Sequence, residues 1–367
     1  MIASVRISNF KSLKDVRLTV APLTVLSGQN GAGKSSFLQA LLFASRNVLA
    51  LRTVRSVDLN GSDYAFGLQN DLFYQWAEEL HAGIDILDET GCSVSLGMAS
   101  GPDKSDWDTV DMLQRSFQDP MATYLSRIRY LSADRIAPQT HHLLKRSAIA
   151  ASDWGKNGEN AVAILSDRKD EEVNPLLVHN SESDTSLQGQ VDAWMQDISP
   201  GAAIRTEQKI DHVDLKVYYG RGRGGRGFRP ENVGFGISIV LPVLAMVLSS
   251  TKGDCLIIEN PEAHLHPRGQ AAVGRLLAKA AAAGIQVFVE THSDHVINGI
   301  RVAVKRGELD RRKSTVLFFE RKTALSPNGL EEQFASVRKL SIDQNGELDD
   351  YPEGFLDEWT TQLTELL

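Results

Sequence analysis

An α/β fold, with a mixed sheet flanked by helices, is predicted for this 367-residue chain on three observations. Residues 28–35 read GQNGAGKS and stand where a strand pattern turns into a helix pattern. After Glu231 apolar strand-like and amphipathic helix-like stretches alternate, which predicts parallel strands joined by helices. Residues 82–99 form two alternating runs broken at Glu89, Thr90 and Gly91, which predicts an added antiparallel layer.

Taken in order, residues 2–8 and 15–26 read as strands leading into the glycine loop, and 34–50 as a helix with Phe37, Leu38, Leu41 and Leu42 on one face. From about 100 to 230 the pattern weakens, because Pro102, Pro120, Pro138, Pro175 and Pro200 interrupt any long helix. There a strand is predicted at 128–132, helices at 161–166 and 190–197, and strands at 203–209 and 213–219. Beyond it come a helix from 231 to about 248, a strand at 255–259, a helix at 268–283, a strand at 285–290 and a helix from Asp294. Pro267 before the second of these helices and Gly284 after it match the usual asymmetry of helix ends.

Composition sets limits on function. With 42% hydrophobic and 23% charged residues the chain is an ordinary folded protein, neither disordered nor fibrous. A net charge of -8 gives no general attraction to nucleic acid, although a local basic groove remains compatible with it. Cys92 and Cys255 are far apart and lack metal-ligand spacing, so neither a disulfide framework nor a zinc site is expected from them, and a reducing cytoplasm fits best. The N-terminus alternates polar and apolar residues instead of carrying an apolar block. Residues 237–248 are too few to span a bilayer and include Pro242, so no membrane segment is expected.

The motif G-x-x-x-x-G-K-S carries specific chemistry. Gly28, Gly31 and Gly33 let the backbone curl, so that the N–H groups of Gln29, Asn30, Ala32 and their neighbours turn inward toward phosphate oxygens. Lys34 then reaches the β and γ phosphates of ATP and Ser35 ligates Mg2+, while Ser36 opens a helix whose N-terminus adds partial positive charge. Such a site also needs an acid at the end of a buried strand. CLIIENPEAHLHP supplies four apolar residues and then Glu259, the second magnesium-side group. The strand at 285–290 runs into Thr291, His292 and Ser293, which suits a γ-phosphate sensor at His292, although Ser293 also reads as a simple helix cap.

The opening stretch through residue 41 resembles the start of SMC, RecF and OLD-type ATPases of the ABC class. ENPEAHLHP and ETHSDH resemble the second nucleotide motif and the histidine switch of OLD-like prokaryotic ATPases. The tail SIDQNGELDDYPEGFLDEW is similar to a C-terminal segment of unknown function in one such subgroup. The resemblance implies an ABC/SMC-type head that closes on a second copy, with ATP between the P-loop of one and a signature segment of the other. NVGFGISIVLPVLAMVL is the candidate signature, with Gly234, Gly236 and Ser238 toward the nucleotide and Pro242 expected near the first turn. Gly234 stands where most ABC signatures have serine, and Ser238 is the candidate substitute.

One departure bears on mechanism. ABC-type sites follow the metal-side acid with a glutamate that activates water, and here that position is Asn260, whose amide cannot take a proton. Glu262 or His292 is left to orient or deprotonate water, and slow hydrolysis is expected. The group Glu262, His264, His266, His292, Asp294 and His295 reads less well as a nuclease metal centre, since His264 and His266 fall where the family has its interface D-loop. Gln69 reads as a surface residue rather than a magnesium contact. Arg135 reads as a structural ion-pair partner. Arg221, Arg223, Arg226 and Arg229 lie among glycines and read as a solvated connection, with a grip on phosphate as the alternative.

The expected organisation is thus an ATPase head in two parts, residues 1–100 and 231–367, around an inserted mixed region at 101–230. The expected function is a homodimeric Mg-ATP switch in nucleic-acid transactions or anti-phage defence. A chain expected to lack the separate nuclease domain of OLD proteins calls for an effector partner. A non-hydrolysing sensor or scaffold is the alternative.

Overall fold

The computed structural model describes residues 1–100, 107–179, 184–220, 226–325, 329, 331–356 and 358–366. It divides into two compact units. The first comprises 1–128, 315–341 and 348–367; the second comprises 129–314 and 342–347.

The first unit opens with β1 (Ile2–Phe10), β2 (Leu13–Thr19), β3 (Leu23–Gly28), α1 (Lys34–Asn47), β4 (Ser56–Asp58), α2 (Gln69–Leu72), β5 (His81–Asp88), β6 (Ser93–Ala99), β7 (Thr109–Phe117) and α3 (Asp119–Leu125). In the second follow β8 (Arg129–Leu131), β9 (His141–Leu143), α4 (Arg146–Ala151), α5 (Ala161–Arg168), α6 (Leu187–Ile198), β10 (Ala202–Gln208), β11 (His212–Tyr219), α7 (Phe235–Leu248), β12 (Cys255–Glu259), α8 (Pro267–Ala282), β13 (Gln286–Glu290) and α9 (Asp294–Lys305). The chain then returns to the first unit through β14 (Ser314–Leu325), β15 (Glu331–Leu340) and α10 (Glu358–Leu366).

In the first unit six strands make an antiparallel sheet in the order β2-β1-β5-β6-β7-β4. The alternation in β5 shows the cause: Ala82, Ile84 and Ile86 are buried and their neighbours are not, as a half-covered strand requires. The predicted strand at 15–26 is in fact two. Ala21 donates its N–H to Thr24 Oγ1 at 3.0 Å and that hydroxyl donates back to the Ala21 carbonyl at 2.9 Å, a turn at Pro22 that delivers β3 to a different sheet beside β14. Helix α1 is buried almost all round, with Phe37, Leu38, Leu41, Leu42 and Phe43 fully covered, so its predicted single apolar face is wider than expected.

In the second unit β8, β12 and β13 are parallel, as the alternation predicted, with Cys255 opposite Gln286 and Glu259 opposite Glu290. Parallel neighbours need a crossover, and α8 provides it between β12 and β13. A second sheet, β10-β11-β9, is antiparallel. Helix α7 starts at Phe235, not Glu231, after a short 3-10 turn at Pro230–Asn232. Pro242 therefore lies two turns inside α7 rather than in its first turn, where its ring packs toward Gly158. Both cysteines are free. Among the described residues no helix is long and apolar enough to cross a membrane.

Candidate nucleotide-binding site

The phosphate loop belongs to the first unit. Gly28, Gly31 and Gly33 have φ values of 121°, 70° and 106°, in the left-handed region that favours glycine. Space enforces the same choice at Gly28, where a Cβ would lie 2.0 Å from the Phe319 carbonyl oxygen on β14. The loop is pinned there by a hydrogen bond from the Gln29 N–H to that oxygen at 3.1 Å. Gly33 is the N-cap of α1, so the curl delivers the chain directly to a helix N-terminus. Lys34 is buried, with Nζ donating to the carbonyls of Gly28 at 2.9 Å and Gln29 at 2.8 Å. Its ammonium is thus folded across the loop mouth, where a phosphate would exchange with two carbonyl oxygens. Gln29, Asn30, Gly31 and Ser35 are exposed, Ser36 is half-buried, and Ala32 is buried.

Arg321 on β14 was not legible as a site residue. It donates Nη2 to the Gly31 carbonyl at 2.9 Å, across 290 residues of sequence. A cleft of about 640 Å³ runs beside the loop, lined by Gly31, Ala32, Lys11, Arg321, Tyr74 and Trp76 among others. Burial holds the Lys11 ammonium below its ordinary pKa.

The acid corner lies in the second unit, at the end of β12. Glu259 accepts from the Tyr130 hydroxyl at 3.1 Å and from the Ala133 N–H at 3.1 Å. Its backbone carbonyl accepts from Arg135 Nη2 at 2.8 Å. Asn260 has φ 41° and donates its N–H to the Glu290 carbonyl at 2.8 Å. Glu262 Oε1 accepts the His292 N–H at 3.0 Å. Glu259, Asn260, Glu262 and His292 thus lie at and just beyond the ends of the paired strands β12 and β13, with His292 exposed.

Several polar atoms in this corner are buried without a protein partner: Arg135 Nε and Nη1, Asn260 Oδ1 and Glu262 Oε2. Burial pushes Arg135 down to about 10 against the pull of Glu259, Tyr130 and Glu262. Burial raises the Glu262 carboxyl above its ordinary range, opposed by the hydrogen bonds it accepts. Unpaired donors and acceptors in one buried corner have the makings of a site for water or a polar ligand. The expectation of a plain ion pair at Arg135 is corrected: its observed contact is a bond to a backbone carbonyl.

At the candidate signature, Gly234 is the exposed N-cap of α7 and Phe235 is exposed beside His264, ring centroids 4.7 Å apart. Gly236 is held against the backbone, since a Cβ would lie 2.5 Å from the His264 carbonyl oxygen. Ser238 turns inward, its Oγ buried and without a partner. Ser293 does cap α9, accepting the Val296 N–H at 3.1 Å. Gln69 is not a surface residue: it is buried and its Nε2 donates to the Thr109 carbonyl. Arg226 and Arg229 are exposed, whereas Arg221 and Arg223 lie outside the described residues. Among the described residues, no three of Glu262, His264, His266, His292, Asp294 and His295 gather their ligand atoms as a metal centre would.

Three family models match the chain. Residues 100–298 match the model described as "AAA domain, putative AbiEii toxin, Type IV TA system". Residues 1–85 match an AAA ATPase domain, and 309–366 match a protein family of unknown function, DUF3696. The chain is 25% identical to the Old nuclease of Escherichia phage P2 over 356 residues, 82% of this chain and 59% of that protein. It is 22% identical to the OLD nuclease of Thermus scotoductus over 321 residues, 80% and 59% of the two. The chain thus spans about three-fifths of the length of these relatives. In fold it is similar to an SMC head bound to the C-terminal winged-helix domain of ScpA, with a TM-score of 0.53, 17% identity, and 94% and 98% of the two chains covered. An SMC head with an extended coiled coil, bound to the C-terminal domain of ScpA derived from Pyrococcus furiosus, gives a TM-score of 0.50 at 15% identity, covering 100% and 99%. The expected likeness to OLD-like and SMC-type ATPases is borne out, and so is the SMC-head type of fold.

Proposed function

We propose, from the premise that the chain belongs to the AAA-domain family matched over residues 100–298, that it is a slowly hydrolysing Mg-ATP switch that pairs with a second copy around the nucleotide. That it is an ATP-binding ATPase domain follows from the family; the rest is our reading. The observation that carries it is the phosphate loop, with three glycines at positive φ and Lys34 already seated across it. This cradle fits a triphosphate, because three glycines at positive φ leave its main chain bare and Lys34 brings an ammonium across it.

By motif, Gly28 to Ser36 bind the phosphates, and Ser35 and Glu259 are assigned to the magnesium side. Mg2+ when bound supplies charge neutralisation at the phosphates. Lys34 binds and orients the β and γ phosphates. Glu262 is the better-supported proton acceptor, since its Oε2 is buried without a hydrogen-bond partner and burial raises its pKa above the ordinary carboxylate range. Asn260 orients water without taking its proton, and His292 senses the γ-phosphate end. Gly234, Gly236 and Ser238 form the signature segment that meets the ATP of the partner copy, with Gly234 offering a bare helix N-terminus.

The nuclease activity named for the relatives stays theirs, as does the ScpA partnership of the solved SMC heads. Both support a reading in which this chain is the switch of an assembly acting on nucleic acid, or in anti-phage defence, inside a reducing cytoplasm with a separate effector. Turnover measured with and without DNA, beside light scattering with ATP, tests it. Saturable ATP binding, a low turnover lost in Glu262→Gln, and ATP-driven association are expected. Tight ATP binding with background turnover, unchanged in Glu262→Gln, would instead leave the non-hydrolysing sensor. DNA cleavage that survives Lys34→Ala would favour the nuclease.

A further inference from the structure

We propose that His141, His212 and Asp214 form a binding site for one zinc-class divalent cation on the β9–β11 pair of the second unit. The site stands on its own residues and does not depend on the reading of the phosphate loop.

The register builds it. In the antiparallel pair Asp214 lies opposite His141, and His212 opposite Leu143. Strand periodicity puts His212 and Asp214, two residues apart, on the face that His141 shares. His142 and Val213, which fall on the other face, are buried. One ligand atom from each of the three residues lies within 4.8 Å of the others. His141 Nδ1 is 2.6 Å from Asp214 Oδ1, and His212 Nε2 is 3.3 Å from the same oxygen.

The donor set suits a cation. The Asp214 carboxylate faces a ring nitrogen of each histidine, and a single metal ion engages all three groups at once. His212 Nδ1 lies 2.6 Å from Asp211 Oδ1, so Nε2 is the nitrogen turned toward the cluster, with Asp211 as the outer carboxylate behind it. Two imidazoles and one carboxylate suit a borderline ion such as Zn2+ rather than Mg2+ or Ca2+, and leave a fourth tetrahedral position open. Tetrahedral zinc ligands stand about 3.3 Å apart, which the His212–Asp214 separation of 3.3 Å already matches, whereas the His141–Asp214 separation of 2.6 Å has to widen. Because β9 is a three-residue edge strand, the ion would staple it to β11.

The test uses the full chain, stripped with EDTA and free of nucleotide, titrated with Zn2+ by calorimetry. Wild type is expected to bind one equivalent. His141→Ala and Asp214→Asn should weaken that binding by tenfold or more, and Asp211→Asn by about tenfold. His266→Ala, at the N-cap of α8 and outside the cluster, should change nothing. The His141 side chain is 69% exposed, so its replacement leaves the core intact, and a thermal melt provides a second readout: Zn2+ should raise Tm in wild type and not in His141→Ala. No stoichiometric binding by wild type, or equal binding by His141→Ala and Asp214→Asn, overturns the proposal.

Discussion

The phosphate loop and the acid corner at the end of β12 treat their polar groups in opposite ways. In the loop, the Lys34 ammonium is already satisfied by the carbonyls of Gly28 and Gln29, and Gln29 is tied to Phe319. In the corner, Arg135, Asn260 and Glu262 each keep a buried polar atom without a protein partner. A cradle complete in itself holds its shape without ligand, as binding needs. Buried polar atoms of this kind are open to water or a polar ligand, and leaving one bare costs about 1–3 kcal/mol. On the proposed function, binding falls to the loop and chemistry to the corner.

The sharpest way to break that division is Lys34→Ala, expected to lower kcat/KM by about 10³-fold through lost phosphate contacts. Fold should survive, with urea unfolding close to wild type. Glu262→Gln is expected to lower kcat by about 10²-fold while leaving ATP affinity nearly unchanged. Its pH dependence has a definite sign. Since the folded-state pKa of Glu262 is raised, its contribution to stability is present below the unfolded value and lost as pH rises through the folded one. Glu262→Gln should therefore be more stable than wild type at alkaline pH, with the gap closing toward pH about 4. The acidic limb of the wild-type rate profile should disappear with it.

Arg135→Lys tests the corner from its cationic side. Losing the Nη2–H bond to the Glu259 carbonyl should cost about 1–3 kcal/mol in urea unfolding and lower kcat, with ATP affinity in the loop unaffected. The smallest effects distinguish the two signature glycines. Gly236→Ala meets the His264 carbonyl and should cost about 1–3 kcal/mol. Gly234→Ala meets nothing within 4 Å at an ordinary φ of -57°, so its stability change should stay within about 0.5 kcal/mol. Any loss there should show in ATP-driven association measured by light scattering.

What could be read from the sequence was what is local. The loop, the β12–α8–β13 crossover and Glu259 at a strand end are each written within a few consecutive residues, so spacing alone finds them. What escaped depends on distant pairing. Arg321 reaches Gly31 through the β3–β14 adjacency, and Arg135 reaches Glu259 through the β8–β12 pair. Gln69 has an ordinary surface composition around it, yet β7 covers it. Pro242 was misplaced because the 3-10 turn before Gly234 looks like the start of a helix. The histidines of β9 and β11 carry no motif; only the register makes them neighbours.

The most direct test of the account is a calorimetric titration of ATP with Mg2+ into wild type and into Lys34→Ala, both purified as the full chain. One ATP per wild-type chain and no measurable binding by Lys34→Ala is the predicted result. Equal binding by the two would place the nucleotide elsewhere and contradict the assignment of the glycine loop.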